Sequence, residues 1–186
     1  MIIKKQIKLS FQTSQEIMEL YRSLKIDYPK FYKMDGLSKL GFLASEMILK
    51  DDENRFEPNE NIAVICFNSS SSLDTDAQYQ ATINNNDNYF PSPSHFVYTL
   101  PNIVNGEIAI RNRFFGESFF YICKNFDTKL ILRTINNSFN NKSVNAVLAA
   151  WIEYFEDKRE VLMMLVDNSA GSFEFAEEKI LKLYNN

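Results

Sequence analysis

The sequence FVYTLPNIVNGEIAIRNRFFG, residues 96–116, places a proline shortly before an amphipathic segment that stops at a glycine. Its apolar residues recur every three to four positions, the period of a helix packed on one side. The next residues, ESFFYIC, predict a buried strand from Phe119 to Cys123. A helix followed closely by an apolar strand is typical of a layered α/β domain.

Apolar patterns elsewhere in the chain favour the same class. Strands are predicted at Ile2 to Phe11, which alternates, at 62–67 (IAVICF), which is continuously apolar, and at Glu160 to Val166. Helices are predicted after Thr13 or Ser14, after Asp35, after Asp74 or Asp76, at Thr128 to Phe139, at Ser143 to Phe155 and in the tail 173–186. We therefore expect one α/β domain over residues 1–186, with layered helices and a mixed, mostly parallel sheet.

Charge and cysteine content limit the functional classes. A formal net charge of -4 gives no overall basic field to attract nucleic acid or anionic lipid. The N-terminal residues MIIKKQIKLSF lack the continuous apolar core of a signal peptide or membrane span. Cys66 and Cys123 are far apart and outside any C-x-x-C motif, which is typical of reduced thiols. We expect a cytoplasmic protein that binds neither nucleic acid nor membrane.

Few residues point to independent chemistry. His95 is the single histidine, and the G-x-G-x-x-G and G-x-x-x-x-G-K-[ST] motifs are absent, so no metal or cofactor is expected. The serines at 69–72 could bind an anion or form a turn. Cys123 adjoins Lys124 after a predicted strand, where a cation and a helix N-terminus can activate a thiol. A buried, inert Cys123 is the alternative that cysteine burial preferences favour.

Two stretches together resemble a known family: SSSSLDTDAQYQ (69–80) and FPSPSHFVYTLPNIVNGEIAIRNRFFGES (90–118). They resemble the N-terminal half of β-ketoacyl-acyl-carrier-protein synthases, in the thiolase superfamily, where a similar loop and helix lead to the strand ending at the nucleophilic cysteine. The segment at 31–49 looks like the family's helix before a core strand, and WIEYFEDKREVLMMLVDNS (151–169) like its helix and strand after the nucleophile. The likeness covers about residues 30–168 and implies a thiolase-like half-domain.

The resemblance assigns roles to two glycines, and the sequence departs from the family in three ways. It implies that Gly106 lets backbones approach closely and that Gly116 supplies a chain reversal. The family's cysteine falls near Asn125, which cannot form a thioester, so the nucleophile is either displaced to Cys123 or lost. The family's second half, with its catalytic histidines and lysine, has no counterpart, and an extra helix-like segment at 127–141 lengthens the region after the nucleophile.

Three functions follow from these observations. The first is a degenerate, non-catalytic accessory subunit in fatty-acid or polyketide-type acyl-chain biosynthesis, resembling a chain-length factor. The second is an acyltransferase-type enzyme that uses Cys123, and the third is an α/β binding module unrelated to acyl chemistry. For the first, the resemblance points to gene clusters for aryl polyene or flexirubin-like pigments.

The resemblance also implies partners. Synthases of this family dimerise around the strand before the nucleophile, here 118–123, whose successive aromatics would promote aggregation unless paired. We expect a homodimer, or a heterodimer with a full-length β-ketoacyl synthase, and acyl carrier protein as a further partner. The expected interface residues are Phe114, Phe115, Ser118, Phe119, Phe120 and Tyr121.

Overall fold

The computed structural model describes residues 1–168 and 176–185. The strands are Ile2–Ser10 (β1), Ile62–Asn68 (β2), Ser118–Ile122 (β3), Ala146–Phe155 (β4) and Lys158–Asp167 (β5). They form one sheet in the order β1-β5-β4-β2-β3, in which β5 is antiparallel to both neighbours and the other strands run parallel to one another. The predicted α/β class with a mixed, mostly parallel sheet is confirmed.

Helices cover both faces of the sheet. They are Ser14–Ser23 (α1), Gly36–Ile48 (α2), Leu73–Ala81 (α3), Pro93–Val97 (α4), Ile103–Asn112 (α5), Thr128–Ser138 (α6) and Glu177–Asn185 (α7), with short 3-10 helices at Pro29–Lys33 and Asn86–Asn88. The predicted tail helix is thus observed from Glu177, while its predicted residues 173–175 and 186 lie outside the described residues.

Two apolar clusters lie on the two faces of the sheet. On the first face, α1, α2 and α5 pack against alternate strand residues such as Val64, Leu148 and Met163. On the second face, α6 and α7 pack against the intervening strand residues, such as Ile65. Burial of both faces explains why β2 and β4 have nearly continuous apolar sequences.

Local signals placed the first helices correctly. The Thr13 side chain accepts a hydrogen bond from the backbone N–H of Glu16, and Asp35 caps α2 through the N–H of Ser38. The cap expected at Asp74 or Asp76 is wrong, because α3 begins after Ser72, which places both aspartates in its first turn. Acidic side chains there still interact favourably with the helix dipole.

The helix predicted from Ser143 to Phe155 is wrong, since these residues form β4 at the centre of the sheet. The stretch at 151–169 is correspondingly not a helix and a strand. Its described part is a hairpin, in which Phe155 pairs with Lys158 across a two-residue turn and Glu156 has φ 52°. Alanine and leucine favour helices locally, but pairing with β2 and β5 on both sides overrides that preference.

The region around the opening motif differs from expectation in three ways. The helix begins at Ile103 and ends at Asn112, and the reversal lies at Arg113, which has φ 55°, rather than at Gly116. Gly106 has open space where a Cβ would stand, whereas a Cβ on Gly116 would overlap the carbonyl oxygen of Ile62. Gly116 is therefore the glycine that allows close backbone approach, and Gly106 is not.

The strand after the motif is present at Ser118–Ile122, but it is not buried. Among the described residues it pairs with β2 alone and forms an edge of the sheet, with several of its side chains exposed. Within the described residues, no helix has both the length and the apolar character needed to cross a membrane.

Candidate functional site

The carboxyl ends of β2, β3 and β4 meet at one end of the sheet. The serine loop, residues 69–72, follows β2, and the segment 123–127 follows β3. Glu153 lies near the end of β4. In sheets of this kind ligands bind outside the carboxyl ends of parallel strands, so these residues form the first candidate site.

The serine loop is held by the buried Glu153. Its carboxylate accepts hydrogen bonds from the backbone N–H and hydroxyl of Ser69 and from the hydroxyl of Ser70, each at 2.6 Å. The Ser72 hydroxyl donates to the carbonyl of Thr99 at 2.7 Å. These hydroxyls stabilise the turn. The structure therefore agrees with the prediction that the serines form a turn, and it does not agree with the alternative that their hydroxyls are free to bind an anion.

Cys123 lies directly after β3, half-buried against the second-face cluster. Its backbone N–H donates to the carbonyl of Asn68 at 2.7 Å, which continues the β2–β3 ladder. Burial raises the pKa of the Cys123 thiol, and the negative charges of Asp127 and Glu153 raise it further. A nucleophilic thiol needs the opposite surroundings, with a cation or histidine that stabilises the thiolate.

His95 is not placed to assist Cys123. It belongs to α4 and lines a cleft among side chains of the first face, whereas Cys123 packs on the second face. Asn125, near which the resemblance places the family's cysteine, is exposed two residues before Asp127, which caps α6. In residues 1–168 and 176–185 no three His, Cys, Asp or Glu side chains are grouped to hold a metal ion.

We predict slow alkylation of Cys123. At neutral pH iodoacetamide should modify it at least about fivefold more slowly in the folded protein than in the unfolded chain, because burial and nearby carboxylates disfavour the thiolate. Labelling should accelerate only above the pH at which a free thiol ionises. Peptide mass mapping separates Cys123 from the fully buried Cys66, which should stay unlabelled while the protein is folded.

The matched control is Cys123→Ala, which should leave partner binding intact if the thiol has only a packing role. Labelling of folded Cys123 that is faster than labelling of the unfolded chain would contradict this prediction and would support acyl transfer through the thiol.

The β3 edge is the second candidate site. The N–H of Val64 donates to the carbonyl of Glu117 at 2.8 Å, and the parallel register pairs Val64 with Ser118 and Asn68 with Ile122. Because hydrogen bonding alternates along a parallel pair, Ser118, Phe120 and Ile122 direct their N–H and C=O groups away from β2. These backbone groups form a template on which another strand can pair.

The six expected interface residues differ in how far their side chains are exposed to solvent. Phe115, Phe119 and Ser118 are open to solvent, with exposed fractions of 65% for Phe115 and 44% for Phe119. The Phe114 side chain is buried, Phe120 packs partly against the first-face cluster, and Tyr121 stacks on Phe67 with ring centroids 5.3 Å apart. Phe114, Phe120 and Tyr121 can therefore contribute backbone groups and packing to an interface, but little exposed side-chain surface.

The opposite edge of the sheet, β1, is protected against pairing. It carries Lys4, Lys5 and Lys8, and its ladder with β5 is irregular between Ile3 and Lys5. Lysines and bulges are the usual devices that prevent edge-to-edge association. The β3 sequence SFFYI has neither a charge nor a proline, so of the two edges of the described sheet it is the one suited to pairing with another chain.

The sequence patterns do not predict the roles of two residues in these sites. Glu153 lies in the segment that the sequence predicts as a helix, although a carboxylate inside an apolar run itself indicates a specific buried partner. Asn105, buried on α5, donates through its amide nitrogen to the carbonyls of Phe119 at 2.7 Å and Val64 at 3.3 Å. Asn105 therefore links α5 to both β2 and β3.

Comparison with known proteins gives matches for the fold of this chain but none for its sequence. No protein-family model and no curated protein matches the sequence. The fold matches the ishigamide ketosynthase/chain length factor, with a TM-score of 0.72 and 13% identity over 92% of this chain. It also matches the ketosynthase ApeO in complex with its chain length factor ApeC from Xenorhabdus doucetiae, with a TM-score of 0.63 and 11% identity over 91% of this chain.

A third match is the AntDE:AntF complex, in which a type II polyketide synthase acyl-carrier protein is bound to its ketosynthase, with a TM-score of 0.62 and 11% identity over 90% of this chain. The chain spans 63%, 79% and 62% of the three matched chains. Identities this low establish the fold alone. The thiolase-like fold expected from the resemblance is confirmed.

Proposed function

We propose that this chain is a non-catalytic, ketosynthase-like accessory subunit that pairs with a complete β-ketoacyl synthase in acyl-chain biosynthesis. The observation that supports the proposal is a fold similar to ketosynthases and chain length factors, in which the surroundings of Cys123 disfavour a nucleophilic thiolate. The resemblance places the family's cysteine near Asn125, and burial and nearby negative charge raise the pKa of the Cys123 thiol. The imidazole of His95 lies on the other face of the sheet.

The β3 edge supports a subunit role. Its unpaired backbone groups and the exposed Phe115 and Phe119 form a surface that a second thiolase-like chain can complete. Two of the matched structures are described as ketosynthases with chain length factors, which is the same kind of pairing. In the third, an acyl-carrier protein is in complex with its ketosynthase, so we include acyl carrier protein among the proposed partners.

The pathway is proposed from the sequence resemblance, as aryl polyene or flexirubin-like pigment synthesis. A gene neighbourhood that holds complete synthases and carrier proteins would support that assignment. Acyl transfer through Cys123 is the weaker alternative, because Asp127 and Glu153 both oppose formation of the thiolate.

The proposed function predicts that the purified chain alone forms no β-ketoacyl product from acyl and malonyl thioesters. Mixed with a complete synthase and acyl carrier protein from the same gene cluster, it should form a one-to-one complex with the synthase in native mass spectrometry. Phe119→Lys should abolish that complex, because it replaces an exposed apolar side chain of the edge strand with a charge.

The matched control is Leu181→Lys, which also replaces an exposed apolar residue by lysine but lies on α7. It should bind the synthase as the wild type does. Product above a no-protein baseline from the isolated chain would contradict the non-catalytic role, and equal binding by the Phe119→Lys protein would contradict the β3 interface.

A further inference from the structure

A cleft on the first face of the sheet is separate from both candidate sites. It has a volume of about 570 Å³ and lies between α1, the start of α2, α3, α4 and the end of β4. Its apolar walls include Met18, Met34, Tyr98 and Tyr154. The Tyr154 ring packs directly on Gly36, where any Cβ would overlap it, so the glycine makes room for this wall. The volume falls within the range of small-molecule sites.

The carboxylates that line the cleft already have hydrogen-bond donors. Asp35 accepts from the N–H of Ser38 at 3.0 Å and from the hydroxyl of Thr75 at 3.2 Å. Asp74 accepts from the side-chain amide of Gln78 at 2.7 Å. These carboxylates stabilise the helix starts around the cleft, and they do not need a cation from a ligand.

Two buried or half-buried nitrogen groups in the same cleft lack a hydrogen-bond acceptor among the described residues. Lys39 is half-buried, and in the described part of the chain its ammonium has no ion pair or hydrogen bond; it lies 6.0 Å from the centroid of the Phe31 ring. Burial lowers the pKa of Lys39, an effect that the more distant charge of Asp35 only partly opposes. The Nδ1 atom of His95 is buried without a hydrogen-bond partner among the described residues.

We propose that this cleft binds a small organic acid, whose carboxylate pairs with Lys39 and whose apolar or aromatic body packs against the methionines and tyrosines. A carboxylate supplies the acceptors that the Lys39 ammonium lacks, and His95 can donate a second hydrogen bond through Nδ1. The thioether and ring surfaces of Met18, Met34 and Tyr98 suit an apolar body. Lys39 would repel an amine, and the amine would have to compete with the donors that Asp35 and Asp74 already have.

The test uses three probes of one shape and different charge: 3-phenylpropionate, its neutral amide, and 3-phenylpropylamine. Octanoate is added as an acid with an aliphatic body. In amide NMR titrations one of the acids should bind with a Kd of about 1 mM or below. The neutral amide should bind at least about tenfold more weakly than 3-phenylpropionate, because it cannot form the charge-assisted pair. Shifted amide signals should map to the cleft, at residues such as Gly36 and Thr75.

Variants of Lys39 test whether its ammonium group pairs with the carboxylate of the bound acid. Lys39→Met should remove the preference for acid over amide, while Lys39→Arg should retain it, since arginine keeps the charge and donors. Lys129→Met, an exposed lysine on α6 across the sheet, is the matched control and should bind as the wild type does. The proposal is overturned if neither acid binds, if the amine binds most tightly, or if Lys39→Met keeps the acid preference in a folded protein.

Discussion

At micromolar concentration the isolated chain should have a solution mass of twice its 21.7 kDa in light scattering. The physical reason is the exposed edge of β3, where Ser118, Phe120 and Ile122 present unpaired N–H and C=O groups. The exposed Ile122 and Phe119 side chains add apolar surface that a partner would remove from water. The strand of a second copy offers the same groups in reverse order, so a two-fold axis satisfies both edges.

The outward-facing groups also predict a register. If the two-fold axis passes beside Phe120, this residue lies opposite the same residue of the second copy, and Ser118 lies opposite Ile122. Phe119 then stands across from Tyr121 on the second face, an aromatic cross-strand pair of the kind that stabilises sheets. The groove of about 180 Å³ between these two side chains and Thr134 of α6 extends the contact surface.

Ile122→Pro should convert the dimer to a monomer without unfolding it. The N–H of Ile122 faces away from β2, so proline removes a bond between copies and none within the chain. Ile122→Val is the matched control and should remain dimeric. A charge at Phe120 is a poorer test, because this side chain packs partly against the first-face cluster and its loss would also destabilise the fold.

The result that would contradict self-pairing is a wild-type monomer across the micromolar range. A dimer of unchanged mass in Ile122→Pro, with native circular dichroism, would instead place the contact elsewhere on the molecule. A wild-type monomer that still forms a one-to-one complex with a complete synthase would favour the heterodimer over the homodimer.

Gly116→Ala should lower the free energy of unfolding by at least about 2 kcal/mol. An added Cβ would overlap the carbonyl oxygen of Ile62 and stand 3.0 Å from the carbonyl oxygen of Glu60. Neither backbone segment can withdraw easily, because Ile62 pairs with Ala146 in the sheet and the N–H of Phe115 donates to Asn59 at 2.8 Å. Urea unfolding followed by circular dichroism measures the change.

Gly106→Ala is the matched control, with the opposite expected sign. Gly106 lies inside α5 with no atom within 4 Å of the position of an added Cβ. Alanine there should raise the free energy of unfolding by about 0.5–1 kcal/mol through its higher helix propensity. If Gly106→Ala proved the more destabilising of the two, the close backbone approach would lie at α5 rather than at Gly116.

Short-range signals in the sequence located most elements. Caps such as Thr13 and Asp35 act on N–H groups three residues away, so they can be read directly from neighbouring residues. The run at 62–67 is apolar at every position, which predicts a strand covered on both faces wherever it lies in the sheet. The order of the motifs between 69 and 118 also pointed to the thiolase-like fold.

Pairing and packing between segments far apart in the sequence determined the features that these local signals do not specify. The residues of β4 read locally as a helix, and only their ladders with β2 and β5 make them a strand. The aromatic run of β3 is compatible with a central or an edge position, because its composition does not reveal how many neighbours it has. The same holds for Gly106 and Gly116, whose roles depend on which backbone lies opposite each of them.

The sequence alone thus determined the class of fold, the starts of α1 and α2 and the absence of a cysteine at residue 125, since each depends on residues close together in the chain. The tertiary structure alone decided which edge is open, that Glu153 holds the serine loop, and that Lys39 and His95 share one cleft. Contacts of this kind join residues tens of positions apart. Their geometry is set by the packing of helices on the two faces of the sheet, which no local pattern encodes.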